Sequence, residues 1–194
     1  RPPRSTLFPS TTLFRSVIKV ESTIRPDSSR GGPQPDSQVE GDAWNHGGAY
    51  HEVNRNKLGL SLNLNTQRGK DLFKELVSVS DIVAQTFPPR VMRNFGLDYP
   101  ELKKIKNDII VLDSTAYGST GPWQNYIGYG SSIQAVTGLT YLTGYEGGEP
   151  VQGGILYNDI LGALTATYAI LLAIAHRERT DRKSTRLNSS HALI

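Results

Sequence analysis

The sequence contains no cysteine and only one methionine in 194 residues. Without thiols, disulfide frameworks, thiolate zinc sites and cysteine nucleophiles are all excluded. No secretory signal is legible either, because Arg, Pro and Ser precede "TLF" and no apolar run follows it. Both absences fit a cytoplasmic protein. The glycine patterns that cradle phosphates, G-x-G-x-x-G and G-x-x-x-x-G-K-[ST], are missing as well. "GSTGP" and "GYGSS" do not complete G-x-S-x-G, so a hydrolase nucleophile elbow has no support. His46 and His51 stand in a polar loop and read as solvated histidines, so no metal site is expected.

An excess of positive charge is present only on paper. The opening "TLFPSTTLFRS" and the closing "DRKSTRLNSSH" resemble translated sequencing-library adapters. Residues 1–16 and 181–194 are therefore set aside as artefactual, leaving 17–180 as the working chain. The two ends hold six basic residues (Arg1, Arg4, Arg15, Arg182, Lys183, Arg186) and one acidic residue, Asp181. Without them the formal charge moves from +3 to −2, with 15 basic against 17 acidic residues. No Lys/Arg cluster survives as the footprint of a nucleic acid or an anionic membrane.

What is present is an alternation of strand and helix patterns. "VIKVE" (17–21) predicts a short strand, and the polar, Pro/Gly-rich stretch 22–48 a surface loop. "LGLSLNLN" puts Leu58, Leu60, Leu62 and Leu64 at period two, which predicts a half-buried strand. "TQRGKDLFKELVSVS" then changes to helical spacing, with Thr66 as N-cap and Leu72, Phe73, Leu76 and Val77 facing inward. "DIVAQTF" (81–87) reads as a buried strand, and "PPRVMRNFG" as a helix opened by proline and closed by Gly96. "DYPELKKIKN" is a further helix and "DIIVLDS" (108–114) the next strand. The order argues for an α/β domain with a largely parallel, Rossmann-like sheet.

The last long element is "NDILGALTATYAILLAIAHRER". Its uncharged run, Ile160 to Ala175, is 16 residues, shorter than the roughly 20 needed to span a bilayer. The expectation is a helix buried on most sides within a soluble protein, with no membrane partner. Asp159 immediately precedes the run, where an N-cap or first-turn residue belongs. As an N-cap it would accept hydrogen bonds from the first backbone N–H groups. The same position keeps a carboxylate ionised and available as a nucleophile, and Gly153 and Gly154 leave room for a ligand. His176 sits in the last turn, where a cation suits the helix dipole.

Taken together, "NRNKLGLSLNLN", "SDIVAQTFPPRVMRNFGLDYPELKKIKNDIIVLDSTAYGSTGPW" and the glycine-rich approach to "NDILGALTATYAILLAIAHRERT" resemble the class III CoA-transferases. That family includes formyl-CoA transferase, carnitine CoA-transferase and the α-methylacyl-CoA racemases. The resemblance covers nearly all of 17–180 and implies that Asp159 is the catalytic aspartate. Acyl-CoA and a small carboxylic acid would be the substrates, with CoA as substrate rather than a tightly bound cofactor. It also implies CoA contacts at Leu62, Asn63, Leu64 and Asn65, at Thr86, Phe87 and Pro88, at Asn94, and at Tyr126 and Tyr129.

Several positions depart from the family pattern. Asn63 replaces an aspartate and Asn65 often a lysine, Thr86 replaces an asparagine, and Arg90 a glycine. Racemases carry "GHD" where this chain has Gly128, Tyr129 and Gly130, so one of their two proton-transfer bases is missing. A transferase is thus expected, with a racemase or a non-catalytic CoA-binding protein as alternatives. The resemblance further implies that the chain is an internal fragment, inactive alone, of a protein that forms an interlocked homodimer.

Overall fold

The computed structural model describes residues 16–31, 45–180 and 185–190, with side chains described through 179. Residues 32–44 of the expected loop, and the remainder of both adapter-like ends, lie outside the described residues. The chain divides into two compact units, Arg1–Phe73 and Lys74–Ile194.

In the first unit, β1 (Ile18–Glu21) and β2 (Leu58–Ser61) form a two-stranded parallel sheet, with Ile18 opposite Leu58 and Glu21 opposite Ser61. A 3-10 turn (Ser28–Gly31) and helix α1 (Gly48–Val53) stand between them, the latter in a segment read from sequence as loop. Charged groups hold this region together. Arg30 lies 3.6 Å from the Tyr50 ring centroid and donates to Glu21 at 2.5 Å, while Lys19 donates to Asp27. Strand β2 is shorter than its leucine alternation predicts. Leu58 is exposed, Leu62 buried, and the strand stops at Ser61 because the next residues form a turn. There the Asn63 side chain accepts from the Asn65 N–H at 3.0 Å, and the Thr66 hydroxyl donates to the Asn63 carbonyl at 2.8 Å. Such local side-chain bonds offer the backbone an alternative to the ladder. Thr66 also caps α2 (Gln67–Ser78), accepting the Gly69 N–H at 3.0 Å.

Helix α2 crosses the division between the units, with Phe73 and Val77 buried on its inner face. The second unit contains a three-stranded parallel sheet in the order β3-β4-β5, made of Ile82–Gln85, Ile110–Thr115 and Thr185–Ser190. Every residue of β4 is buried, as a central parallel strand covered on both faces requires. Helix α3 (Pro89–Phe95) opens on proline and ends at Gly96, whose φ of +66° lets Leu97 N–H reach the Met92 carbonyl at 2.9 Å. Glycine adopts that left-handed conformation without the cost a β-carbon brings. The turn drives Leu97 into the core, and α4 (Tyr99–Ile105) adds Leu102, both at 0% exposure. The chain then re-enters the sheet through Ile109 and Ile110.

Strand β5 falls in the segment set aside as adapter-like. Its backbone runs parallel to β4, with Ile110 opposite Thr185 and Thr115 opposite Ser190. An unpaired strand edge accepts any extended backbone, because the ladder bonds are independent of side chains.

After β4, two short helices, α5 (Gly130–Val136) and α6 (Leu139–Leu142), occupy a glycine-rich stretch without a helical sequence signal. The 24-residue α7 (Tyr157–Thr180) follows. It packs on β4, β5 and α5 through a narrow stripe that includes Asn158, Gly162, Ile170 and Ala173. The remainder is open: Ile160, Leu164, Tyr168 and Leu172 are each more than half exposed. The expectation of a helix buried on most sides is therefore corrected. Periodicity reports how apolar a helix is, and cannot report whether the atoms that would cover it belong to this chain. By length and composition α7 is also long and apolar enough to cross a membrane, so the short uncharged run did not exclude that by itself.

Candidate active site

The parallel sheet sets the direction of everything around the site. Because β3 and β4 run the same way, the segments that follow them, Thr86–Pro88 and Ala116–Tyr129, leave from the same edge. In open α/β sheets this C-terminal edge is where ligands bind. The two strand ends are tied by a buried side-chain pair, Gln85 donating through Nε2 to Asp113 Oδ1 at 2.7 Å. Gln85 also accepts the Phe87 N–H, which fixes the start of the loop. Phe87 and Thr86 are exposed, Pro88 is half-buried as the residue before α3, and Asn94 is exposed on α3.

The loop after β4 is an aromatic cluster. The Tyr117 ring meets Trp123 edge-on at 5.9 Å and Tyr126 at 6.3 Å. Tyr126 and Tyr129 are 61% and 72% exposed, so their faces are open to a ligand. Tyr129 directly precedes α5, where its N–H is held by the Ser132 hydroxyl at 2.9 Å.

Helix α7 carries Asp159 toward this edge. Its far end is anchored at the opposite edge, where Arg177 donates to the Asp108 carbonyl at 3.1 Å and pairs with Asp81 at 3.5 Å. From Arg177 back to Asp159 the helix rises about 27 Å at 1.5 Å per residue, more than the length of the strands it crosses. Asp159 is the third residue of α7, so of the two positions the sequence allows, N-cap or first turn, the structure shows the first turn. Its own N–H bonds the Leu156 carbonyl at 3.0 Å. The side chain is exposed, and among the described residues its carboxylate makes no hydrogen bond or ion pair.

What the carboxylate touches is Gly130. A β-carbon at Gly130 would lie 2.9 and 3.0 Å from the two Asp159 carboxylate oxygens. The absent side chain thus lets the first residue of α5 pack directly on the carboxylate, leaving the outward face of Asp159 clear. One turn further along the same face of α5 stands Gln134, only 5% exposed, with Nε2 donating to the Ile155 carbonyl at 3.3 Å. Gln134 borders a cavity of about 340 Å³ together with Leu139, Thr140, Thr143, Ile155 and Tyr157. Neither the Gly130 contact nor Gln134 was visible as a site from sequence; a lone buried glutamine has no motif.

Leu62, Asn63, Leu64 and Asn65 belong to the first unit. Leu62 is core, and Asn63 already serves the turn described above. That unit has its own cavity of about 560 Å³, bordered by Lys19, Tyr50, Arg55 and Lys57. Its lysines are internally engaged, Lys57 with the Val53 carbonyl at 2.8 Å and Asn54 at 3.1 Å, and Lys19 with Asp27. Burial, and then the charge of Lys19, push the Lys57 amine below its usual value. Among the described residues no His/Cys/Asp/Glu group is arranged to hold a metal.

Comparison with known proteins shows which family the chain resembles. The family model for CoA-transferase family III matches residues 16–186. A succinyl-CoA:glutarate CoA-transferase of Mus musculus is 33% identical over 170 residues, 88% of this chain and 38% of that protein. The beta subunit of a succinyl-CoA–L-malate CoA-transferase of Chloroflexus aurantiacus is 35% identical over 167 residues, 86% of this chain and 40% of the subunit. The crystal structure of a CAIB/BAIF family protein from Brucella suis superposes with a TM-score of 0.80 at 33% identity, covering 91% of this chain and 46% of that one. The chain thus spans about two fifths of the length of these curated relatives. The α/β sheet, the ordered sequence match and the fold superposition establish that the chain belongs to CoA-transferase family III.

Proposed function

We propose that this chain contributes the nucleophile of an enzyme that moves CoA from an acyl-CoA thioester to a carboxylic acid through a covalent aspartyl intermediate. The observation that carries the reading is the exposed Asp159 carboxylate in the first turn of α7, seated on Gly130. The helix dipole favours the ionised form there, and an ionised carboxylate is the nucleophile this chemistry needs. One carboxylate oxygen attacks the thioester carbonyl, the C–S bond breaks, and CoA leaves as thiolate from a mixed anhydride. The thiolate then attacks the aspartyl carbonyl of the anhydride, releasing the donor acid as carboxylate and leaving an aspartyl-CoA thioester. An acceptor carboxylate repeats the two steps in reverse order, which restores Asp159 and delivers the new acyl-CoA. Charge balances throughout, since each step exchanges one anion for another.

The relatives' names support exchange between short carboxylic acids, because they are named for succinyl-CoA, glutarate and L-malate. CoA enters as substrate, with contacts in the second unit proposed at Thr86–Pro88, Asn94, Tyr126 and Tyr129. Tyr129 in place of an imidazole argues against two-base racemisation. The active assembly is proposed to be a homodimer of the full-length protein, with the open face of α7 covered by polypeptide rather than by a membrane.

The test is direct. Full-length protein carrying this chain is incubated with an acyl-CoA and hydroxylamine, and the Asp159 peptide is examined by mass spectrometry. The expected result is a hydroxamate at Asp159, absent in Asp159→Asn, with the rate of CoA exchange falling by at least about a thousandfold in that variant. A folded, CoA-binding protein with no adduct would overturn the mechanism. Exchange of the α-proton with solvent deuterium, without CoA exchange, would replace it with an isomerase.

A further inference from the structure

We propose that Asp113 and Gln85 are positioning residues for CoA, which set, through the polarity of one buried amide, the conformation of the Thr86–Pro88 loop. The inference rests on the reading that this loop contacts CoA, and adds what holds it ready. Gln85 and Asp113 are register partners at the end of the β3–β4 ladder. Both are buried, at 8% and 7% exposure, so losing a partner there would be costly. The Phe87 N–H donates to Gln85 Oε1, and Gln85 Nε2 donates to Asp113 Oδ1 at 2.7 Å. A backbone N–H can only donate, which turns Oε1 toward Phe87 and leaves Nε2 for the Asp113 carboxylate. The sense of both bonds is therefore fixed from the two ends.

That sense matters because little else in the loop is free to turn. Phe87 precedes Pro88, which confines it to extended conformations, and Pro88 and Pro89 each have a restricted φ. Thr86 is the remaining joint, and the bond from Phe87 back to Gln85 spans it. Strand β3 ends at Gln85 while β4 continues to Thr115, so the chain leaves the sheet where this side-chain bond begins. The Phe87 ring is 49% exposed, so the residue held in this way still offers an aromatic face to a ligand. A loop that is held in its binding conformation before the ligand arrives lowers the ordering cost of binding. The effect should thus fall on CoA affinity and not on the attack by Asp159.

Two substitutions that barely alter side-chain volume test the polarity. In the full-length protein, three quantities would be measured: the dissociation constant for CoA, the rate of Asp159 modification at saturating acyl-CoA, and amide exchange at Phe87. Gln85→Glu sets one acceptor against another, and should weaken CoA binding at least about tenfold while the saturating rate stays within about threefold. Asp113→Asn alone should change affinity by no more than about threefold, since an oxygen acceptor remains there. In the double variant the amide introduced at 113 donates to the carboxylate introduced at 85, which still accepts the Phe87 N–H. Affinity should then return to within about threefold of the original, and Phe87 exchange should follow the same pattern. Should Gln85→Glu fail to fold, Gln85→Met removes both polar atoms and should show the same weakening, unrelieved by Asp113→Asn. Unchanged Phe87 exchange in Gln85→Glu, a double variant as weak as Gln85→Glu, or a loss confined to the saturating rate would overturn the positioning role. Exchange that follows the pattern while CoA affinity does not would instead overturn the CoA contact at Thr86–Pro88, and the role in CoA binding with it.

Discussion

The two units are held together by different forces. Around Tyr50 in the first unit the stabilising groups are charged: Lys19, Glu21, Asp27 and Arg30 pair with one another over an aromatic ring. In the second unit they are apolar: Leu97, Leu102, Ile109 and Ile110 are all at 0% exposure around β4. A two-stranded sheet has too little area to bury a core, so polar contacts carry more of the first unit. The second unit has area in excess, and exposes much of α7 as well. The contrast predicts that salt and pH act on the first unit while side-chain volume decides the second.

The largest effect should come from the β4 core. Ile110→Ala removes a fully buried side chain and should cost about 2–5 kcal/mol, cavity included. Chemical denaturation followed at the second unit measures it, and raising the salt concentration should leave the difference unchanged. A loss below about 1 kcal/mol would mean that β4 is not the packed centre the fold shows.

A smaller effect is expected from acid on the first unit. Burial raises the Asp27 carboxyl, but hydrogen bonds from Lys19 and from the Ser29 hydroxyl and N–H outweigh it and hold the pKa at about 2. A folded-state pKa below the unfolded value gives stability that is present above pH ~4 and is lost as the pH falls toward 2. Allowing for solvent screening, the contribution is on the order of 1 kcal/mol. Asp27→Asn should remove that acid dependence between pH ~4 and 2 and weaken the first unit at neutral pH. Amide exchange in β1 and β2 would report both, and unchanged protection in the variant would break the proposed division of forces.

How much of this was legible in the sequence follows the same division. The run from Ile82 to Thr115 was readable because each element there is set by its own residues: Pro89 opens α3, Gly96 closes it, and an apolar run becomes β4. Helix α1 and helices α5 and α6 were not, since short helices among glycines depend on packing rather than on propensity. The leucine alternation overstated β2, because Asn63 and Thr66 bend the chain before Leu64 can join the strand. The place of Asp159 at a helix terminus was readable from the uncharged run, while its chemistry rests on the ordered resemblance and is a proposal. Its support was not. Gly130 meets Asp159 and Gln134 meets Ile155, contacts between residues far apart in sequence, and such isolated pairs leave no periodic trace.

The smallest effect in this chain is also the one that sharpens the comparison most. Leu164 is 54% exposed on α7, so Leu164→Gln should change the stability of the 194-residue chain by no more than about 0.5 kcal/mol. In the full-length protein the outcome should differ. If further polypeptide covers the open face, the same substitution buries an amide against apolar neighbours and should cost about 2 kcal/mol or more. Thermal denaturation of both lengths, with and without the substitution, measures the difference. A large loss in the short chain would show that its own residues already cover α7, whereas equal and negligible losses in both would show that the face stays open in the complete protein. Only the asymmetric result identifies α7 as the surface through which the apolar unit is completed, with Asp159 at one end of that contact.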